Sequence, residues 1–267
     1  IANTNATQYV PITPAPHKPH YALSSAQYSQ YITSAYGGGN IINNIPKIIK
    51  VSGPFNIERC TAAFNKLIDR HESLRTSFDV VNGDAVQMIM PAANLQISEL
   101  NGADDIEELV ESFIQPFDLK SPPLLRAGVQ KISDEEHLLI FDMHHIISDG
   151  VSMNQAINEI TGHYMDIVHG TGQDAPTKGN PYLEFIQVEQ SYEQSDRYQK
   201  DKTYWTEKFA DLPETTGLKS YNPLTLSTAA RRESFILKHE LYRGVTAFCE
   251  EHKISIFTFF LAALYIY

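Results

Sequence analysis

Two cysteines in 267 residues, Cys60 and Cys249, exclude a disulfide scaffold and give no zinc-type spacing. Each falls on the apolar stripe of a predicted helix, so both are expected to be buried free thiols in a reducing, cytoplasmic setting. Basic residues are also scarce. Lys plus Arg number 21 against 32 for Asp plus Glu, a formal charge of −11. No strongly basic block occurs, so the chain lacks the electrostatic footprint of a nucleic-acid binder and of a protein drawn to anionic membranes. The longest apolar stretch, Ile254 to Tyr267, is broken by Ser255 and Thr258. It falls short of the roughly 20 residues that a bilayer crossing takes. No signal peptide is expected, and no internal repeat stands out. An initiator methionine is missing as well. The chain opens on a polar, proline-bearing run and stops inside an apolar helical pattern, so both ends are expected to be cuts in a longer polypeptide.

What is present suits a packed domain. Hydrophobic residues make up 42% and charged residues 20%, which excludes wholesale disorder. Residues 1–20 hold prolines at 11, 14, 16 and 19 and read as a stiff interdomain linker. A helix is predicted over 23–36, with Ser24 or Ser25 as N-cap and Gly37, Gly38 and Gly39 as its stop. A strand follows at 45–53. Ile57, Cys60, Ala63, Phe64, Leu67 and Ile68 then recur at helical spacing, with Asn56 placed to cap them. Strands are predicted at 74–80, 85–90 and 95–99, the first two joined by an Asn82-Gly83 hairpin turn. An acidic helix is expected at 103–115 and two core strands at 124–132 and 137–145. A strong helical stripe runs from Met153 to Val168. Residues 170–180 read as a loop, 181–194 and 196–209 as helices, 211–231 as irregular and 234–241 as a strand, before two closing helices. The mixture indicates an α/β layered domain.

The chemistry concentrates in FDMHHIISDGVSM, residues 141–153. A buried strand ends in two histidines, and a short loop leads through Asp149-Gly150 into a helix. Strand alternation sends His144 and His145 to opposite sides, so one can face a cavity while the other locks into the fold. That geometry argues against both ligating one metal, and His137 does not complete a zinc spacing. Imidazole exchanges protons near neutral pH, and strand ends are where α/β folds place their sites. Asp149 can cap the following helix or hold an Arg beneath the loop, and Gly150 leaves room for a ligand to pass. By average residue usage, His-His-x-x-x-Asp-Gly arises by chance in roughly one chain per thousand of this size. Arg70, His71 and Arg75 cluster where RHESLRTSF (70–78) passes from helix to strand, and SSAQ (24–27) opens the first helix.

Together SSAQ, RHESLRTSF and MHHIISDGVS (143–152) resemble, in order, the S-x-A-Q, R-H-E-x-L-R-T-x-F and H-H-x-x-x-D-G segments of the condensation domains of nonribosomal peptide synthetases. NPYLEFIQVE (180–189) is similar to the family's Y-x-D-F segment, with Glu184 in place of Asp. The opening linker looks like the joint after an upstream carrier domain. Two departures stand out. Ser29 occupies the place where the family usually has Arg, and the chain is about half a family member's length. It therefore looks like the N-terminal of two halves, each resembling chloramphenicol acetyltransferase, with residues 21–267 forming that half and the cut falling near the start of the second.

The resemblance implies a chloramphenicol acetyltransferase-like fold, a mixed sheet flanked by helices. It implies an acyltransferase that forms an amide between a donor acyl or peptidyl thioester and the amine of an acceptor aminoacyl thioester, as in antibiotic biosynthesis. Both substrates ride on the 4'-phosphopantetheine of carrier domains, upstream and downstream. No cofactor bound by the domain itself and no metal are implied. The implied neighbours are those carriers, an adenylation domain and the missing C-terminal half, without which the isolated half is expected to be inert. The residues that the resemblance singles out are His145 as base or positioner of the amine, His144 as structural, Asp149 in a site-shaping ion pair with Arg75 as first candidate partner, and Gly150 as space. Arg70, Ser24 and Gln27 are implied as supports. SSAQ and MHHIISDG are more similar to domains joining two L-residues than to those taking a D-donor. A coenzyme A-dependent acyltransferase needs only H-x-x-x-D and has no use for RHESLRTSF. An epimerization domain has a different opening segment, and a heterocyclization domain puts Asp where the histidines stand. A non-catalytic docking module has no need of the intact His-His-Asp-Gly set.

Overall fold

The computed structural model describes residues 13–36, 41–101, 105–172, 181–211 and 234–266. The chain divides into two compact units, Ile1–Ala210 and Asp211–Tyr267. In the first, strands β1 (Tyr21–Ala22), β3 (Thr76–Val81) and β4 (Asp84–Ile89) make a small antiparallel sheet in the order β1-β4-β3. Strands β2 (Asn44–Ser52), β5 (Ser98–Glu99), β6 (Leu125–Ser133) and β7 (Glu136–His144) make a second sheet in the order β2-β7-β6-β5, antiparallel except where β5 joins β6.

Helix α2 (Ile57–Arg70) forms where the sequence places it. Asn56 caps it by accepting from the Arg59 N–H at 2.8 Å, and Cys60, Ala63, Phe64, Leu67 and Ile68 are buried. Helix α4 (Gly150–His169) lies beside it and buries Met153, Ala156 and Ile160. Both cover one face of the larger sheet, meeting Leu125, Ala127, Leu139, Phe141 and Met143 in the main core. Burial of these side chains at about 1.5–3 kcal/mol each is the principal stabilising term. The other face is covered at Gly128 by Leu100 and by Phe113 of α3 (Ile106–Phe113). A Cβ at position 128 would fall 2.8–2.9 Å from those side chains. A smaller core of Phe78, Leu124 and Ile146, with Leu23, Tyr31, Phe117 and Leu119 against it, joins the small sheet to helix α1 (Ser25–Tyr36).

The hairpin turn is as the sequence indicates. Asn82 and Gly83 both have positive φ, 54° and 95°, the conformation a two-residue turn between right-twisted strands requires. Two expectations are corrected. The strand at 95–99 shrinks to Ser98–Glu99 because Asn65 of α2 takes the Leu95 backbone instead. Its side chain accepts from the Leu95 N–H at 2.8 Å and donates to the Leu95 carbonyl at 3.0 Å. The strand at 234–241 is not formed either. Phe235 and Ile236 are 85% and 97% exposed, no sheet edge among the described residues pairs with them, and helix α7 (His239–His252) starts inside the segment.

Helices α5 (Pro181–Glu193) and α6 (Asp196–Lys208) complete the described part of the first unit. In the second unit, α7 ends at Lys253 in the left-handed conformation, and Ser255 caps α8 (Ile256–Ile266) through the Thr258 N–H. Cys60 and Cys249 are buried free thiols, and burial pushes the Cys60 thiol up to about 12. Among the described residues no helix is long and apolar enough to cross a membrane. The expected glycine stop at 37–39, most of the 170–180 loop and most of the irregular 211–231 stretch lie outside the described residues.

Candidate active site

Strand β7 ends on His144, and the turn that follows begins with His145. Alternation sends Leu139, Phe141 and Met143 into the core beneath α2 and α4, and Asp142 and His144 to the opposite face. His144 is only 3% exposed. The Ile146 N–H donates to its Nδ1 at 3.0 Å, and its Nε2 lies 3.1 Å from Ser34 Oγ. A backbone N–H can only donate. Nδ1 therefore carries the lone pair, Nε2 carries the proton, and that proton goes to Ser34. Burial, reinforced by the neighbouring His145, pushes the His144 pKa down to about 4, so the ring is neutral at ordinary pH.

His145 turns the other way and is exposed. Its backbone N–H donates to the Asn43 carbonyl at 2.7 Å, and its Nδ1 lies 3.2 Å from Nε2 of Gln30. It lines an open cavity of about 450 Å³ together with Gln27, Gln30, Gln87, Ser148 and Tyr182. The next residue, Ile146, is buried in the smaller core beside Phe78 and Leu124. His145 is thus held between two buried anchors. The Ser148 hydroxyl tightens the turn by donating to the His144 carbonyl at 3.1 Å.

Asp149 is the N-cap of α4. Its Oδ1 accepts from the Ser152 N–H and hydroxyl, each at 2.7 Å, and these bonds hold the carboxyl below its ordinary range. The expected ion pair with Arg75 is not formed. The last turn of a helix leaves carbonyls without intrahelical donors, and Arg75 serves those of α2. Its Nε donates to the Ile68 carbonyl at 3.2 Å and its Nη2 to that of Asp69 at 3.5 Å, while Nη1 reaches the Met90 carbonyl at 2.7 Å. A Cβ added at Gly150 meets nothing within 4 Å, so the mouth of the turn is open.

The other expected supports fall into two groups. Ser24 and Gln27 form a capping box at the start of α1. The Gln27 N–H donates to Ser24 Oγ at 3.1 Å, and the Ser24 N–H donates to Gln27 Oε1 at 3.1 Å. Ser24 Oγ also lies 2.8 Å from the Tyr182 hydroxyl, and the Ser25 N–H donates to Glu189 Oε2 at 3.0 Å, which fastens α5 to the helix. Arg70 and His71 approach Glu159 of α4, at 3.6 and 2.8 Å, and so tie the end of α2 to the helix that Asp149 caps. Ser29 is exposed on α1 and Glu184 is half-buried on α5. His137 lies at the far end of β7, its ring 5.1 Å from that of Phe55. Among the described residues no three His, Cys, Asp or Glu side chains form a set able to hold a metal.

Sequence reasoning passed over Gln30, Ser34, Asn43 and Gln87. The spacing of Gln30 and Ser34 from Gln27 places all three on one helical face and is the signal that would have found two of the four. It also passed over Asp142, fully buried, which accepts from Asn44 Nδ2 at 2.6 Å and lies 3.7 Å from Arg126 Nε. Burial, only partly offset by those partners, raises its pKa to about 6. The Arg126 guanidinium sits 3.8 Å above the Phe117 ring, and Phe117 meets the His144 ring edge-on.

The family model of the condensation domain matches residues 17–267. The chain belongs to the condensation domain family. This condensation-domain chain is 38% identical over 212 residues to gramicidin S synthase 2 of Brevibacillus brevis, covering 79% of the chain and 5% of that protein. It is 35% identical over 267 residues to tyrocidine synthase 3 of Brevibacillus parabrevis, covering 98% of the chain and 4% of that protein. Among solved structures it is similar to the starter condensation domain of rhizomide synthetase, with a TM-score of 0.62 and 22% identity over 74% of this chain and 49% of that one. The first condensation domain of the CDA synthetase gives a TM-score of 0.62 and 21% identity over 73% of this chain and 51% of that one. These likenesses show the chloramphenicol acetyltransferase-like fold, a mixed sheet flanked by helices. The chain spans about half the length of the solved condensation domains.

Proposed function

We propose that the chain supplies the histidine-bearing wall of a site that forms an amide between two carrier-tethered thioesters in nonribosomal peptide synthesis. In this reading residues 1–20 link it to an upstream carrier domain, and residues 21–267 are the N-terminal part of the condensing unit. A downstream carrier brings the acceptor, an adenylation domain loads it, and a C-terminal half closes the cavity. The working location is the cytoplasm, where the thiols stay reduced. The substrates arrive on 4'-phosphopantetheine arms, so the thioester supplies the activation and the protein supplies positioning.

The single observation that carries the reading is His145, exposed on the 450 Å³ cavity while His144 is sealed beneath it. The acceptor nitrogen forms a bond to the donor carbonyl carbon, the carbon–sulfur bond breaks, and the amine proton leaves by way of the imidazole to the departing thiolate. The products are an amide and a thiol. General base action of this kind contributes about 10² to 10⁴ in rate, and proximity of two tethered reactants contributes more. The open turn at Gly150, beside the cavity-lining Ser148, Asp149 and Ser152, leaves space for an arm.

The test uses the native polypeptide that carries this chain, with both carriers loaded. Peptidyl thioester is followed by mass spectrometry for the unaltered protein and for His145→Ala. The expected result is a loss of at least a hundredfold. Undiminished product would remove His145 from the chemistry.

A further inference from the structure

We infer that Gln30 is a positioning residue that fixes the tautomer of His145, its amide oxygen accepting the Nδ1–H and leaving the Nε2 lone pair toward the cavity. The inference rests on the proposed role of His145 and adds the group that makes the ring an acceptor, not a donor, on its cavity side.

Nε2 of Gln30 lies 3.2 Å from Nδ1 of His145. Oε1 of the same amide is buried with no partner among the described residues. A half-turn about the terminal torsion exchanges the two ends of an amide in place. With the amino end against the ring, Nδ1 must hold the lone pair, the proton sits on Nε2, and the cavity is offered a donor. With the oxygen against the ring, that oxygen gains a donor while the amino group takes the buried place, the proton sits on Nδ1, and Nε2 is left free to take a proton. Only the second arrangement allows a neutral imidazole to accept from an amine.

The surroundings are built to hold that choice. Gln30 and Ser34 are one turn apart on α1, and each addresses one ring of the pair, Ser34 Oγ lying 3.1 Å from Nε2 of His144. Asn43 binds the same helical face. Its Nδ2 donates to Ser34 Oγ at 2.9 Å and to the Gln30 carbonyl at 3.4 Å, and its own carbonyl holds the His145 backbone. One face of one helix therefore addresses both imidazoles, Ser34 at Nε2 of His144 and Gln30 at Nδ1 of His145. His145 Nε2 has no partner among the described residues.

The tautomer is read by long-range proton–nitrogen correlation on the full 267-residue chain carrying nitrogen-15 histidine, at about pH 8 where unperturbed imidazole is neutral. The His145 signals are assigned by their loss in His145→Gln. A proton on Nδ1 is expected, with that preference lost in Gln30→Leu, a replacement of similar volume whose urea midpoint reports that it folds. A proton on Nε2 in the unaltered chain, or an unchanged pattern in folded Gln30→Leu, overturns the inference. Turnover by the native polypeptide gives a second readout. Gln30→Leu is expected to lower kcat about tenfold with KM for the acceptor unchanged. Gln30→Glu keeps the acceptor and is expected to restore the rate at higher pH, with the acid limb of the kcat profile moved upward. A merely structural Gln30 would move neither limb nor split kcat from KM. Should His145→Ala keep its full rate, the proposed function falls, and the tautomer pattern still judges Gln30 by itself.

Discussion

His144 is 3% exposed and bonded at both ring nitrogens, whereas His145, one residue on, is exposed and bonded at one. The pair is identical in chemistry and adjacent in sequence. What separates the two is the period of a strand. β7 runs out at His144, so one ring is buried near Ser34 of α1 while the next emerges beyond the end of the strand. Each neighbour then strengthens the division. Ile146 plugs the smaller core and pins the turn, and its N–H also consumes the lone pair of His144. A histidine pair of this kind is one structural residue and one available residue, and the backbone decides which is which before any side chain is counted.

The comparison breaks most visibly at turnover. His145→Ala is expected to cost about 10² to 10⁴ in rate and almost nothing in stability, measured as thioester product beside a urea midpoint. His144→Ala is expected to do the converse. It empties a buried ring and leaves the Ile146 N–H without a partner, which together cost about 3–5 kcal/mol in a denaturant titration.

A smaller effect sharpens the contrast through pH. The folded His144 pKa is lowered from 6.5 to about 4, so the unfolded chain binds the proton more readily. The stability this confers is complete above about pH 6.5 and is lost as pH falls toward 4, amounting to about 3 kcal/mol at most. Asp142 acts in the opposite sense. Its folded pKa is raised from 3.8 to about 6, so its contribution is present below pH 4 and is lost as pH rises through 6. Subtracting the urea midpoints of His144→Gln from those of the unaltered chain, between pH 4 and 7, is expected to isolate a difference that grows with pH. A flat difference would contradict the buried neutral ring.

The smallest expected effect is at Asp149. As an exposed cap bonded to Ser152, it should cost about 1 kcal/mol when changed to Ala, as read from the urea midpoint, and not the 3–5 kcal/mol that severing a buried ion pair would cost.

These cases also mark what the sequence conveys. The apolar spacing of α2 and α4, the Asn56 cap, the Asn82-Gly83 turn and the opposite facing of the histidines were all legible, because each depends on neighbours within a few residues. The Asp149–Arg75 pair was misjudged because the guanidinium answers to carbonyls left open by its own helix end, a demand that charge pairing does not reveal. The strand at 95–99 failed for a similar reason, since a side chain of α2 took the backbone bonds that a neighbouring strand would have made. Phe235 and Ile236 looked like a strand by composition, yet strand formation depends on an available edge, which no local pattern encodes. Gln30 was overlooked because its meaning lies 115 residues away, at His145.

The central claim is that the available ring of the pair does the chemistry while the sealed ring holds the turn. Its most direct test is acylation of the native polypeptide by diethylpyrocarbonate, with each histidine mapped by tandem mass spectrometry as turnover is followed. The account predicts that turnover disappears in step with modification of His145 while His144 stays unmodified until the chain unfolds. Full turnover with His145 fully modified, or His144 reacting as readily as its neighbour in the folded protein, would contradict it.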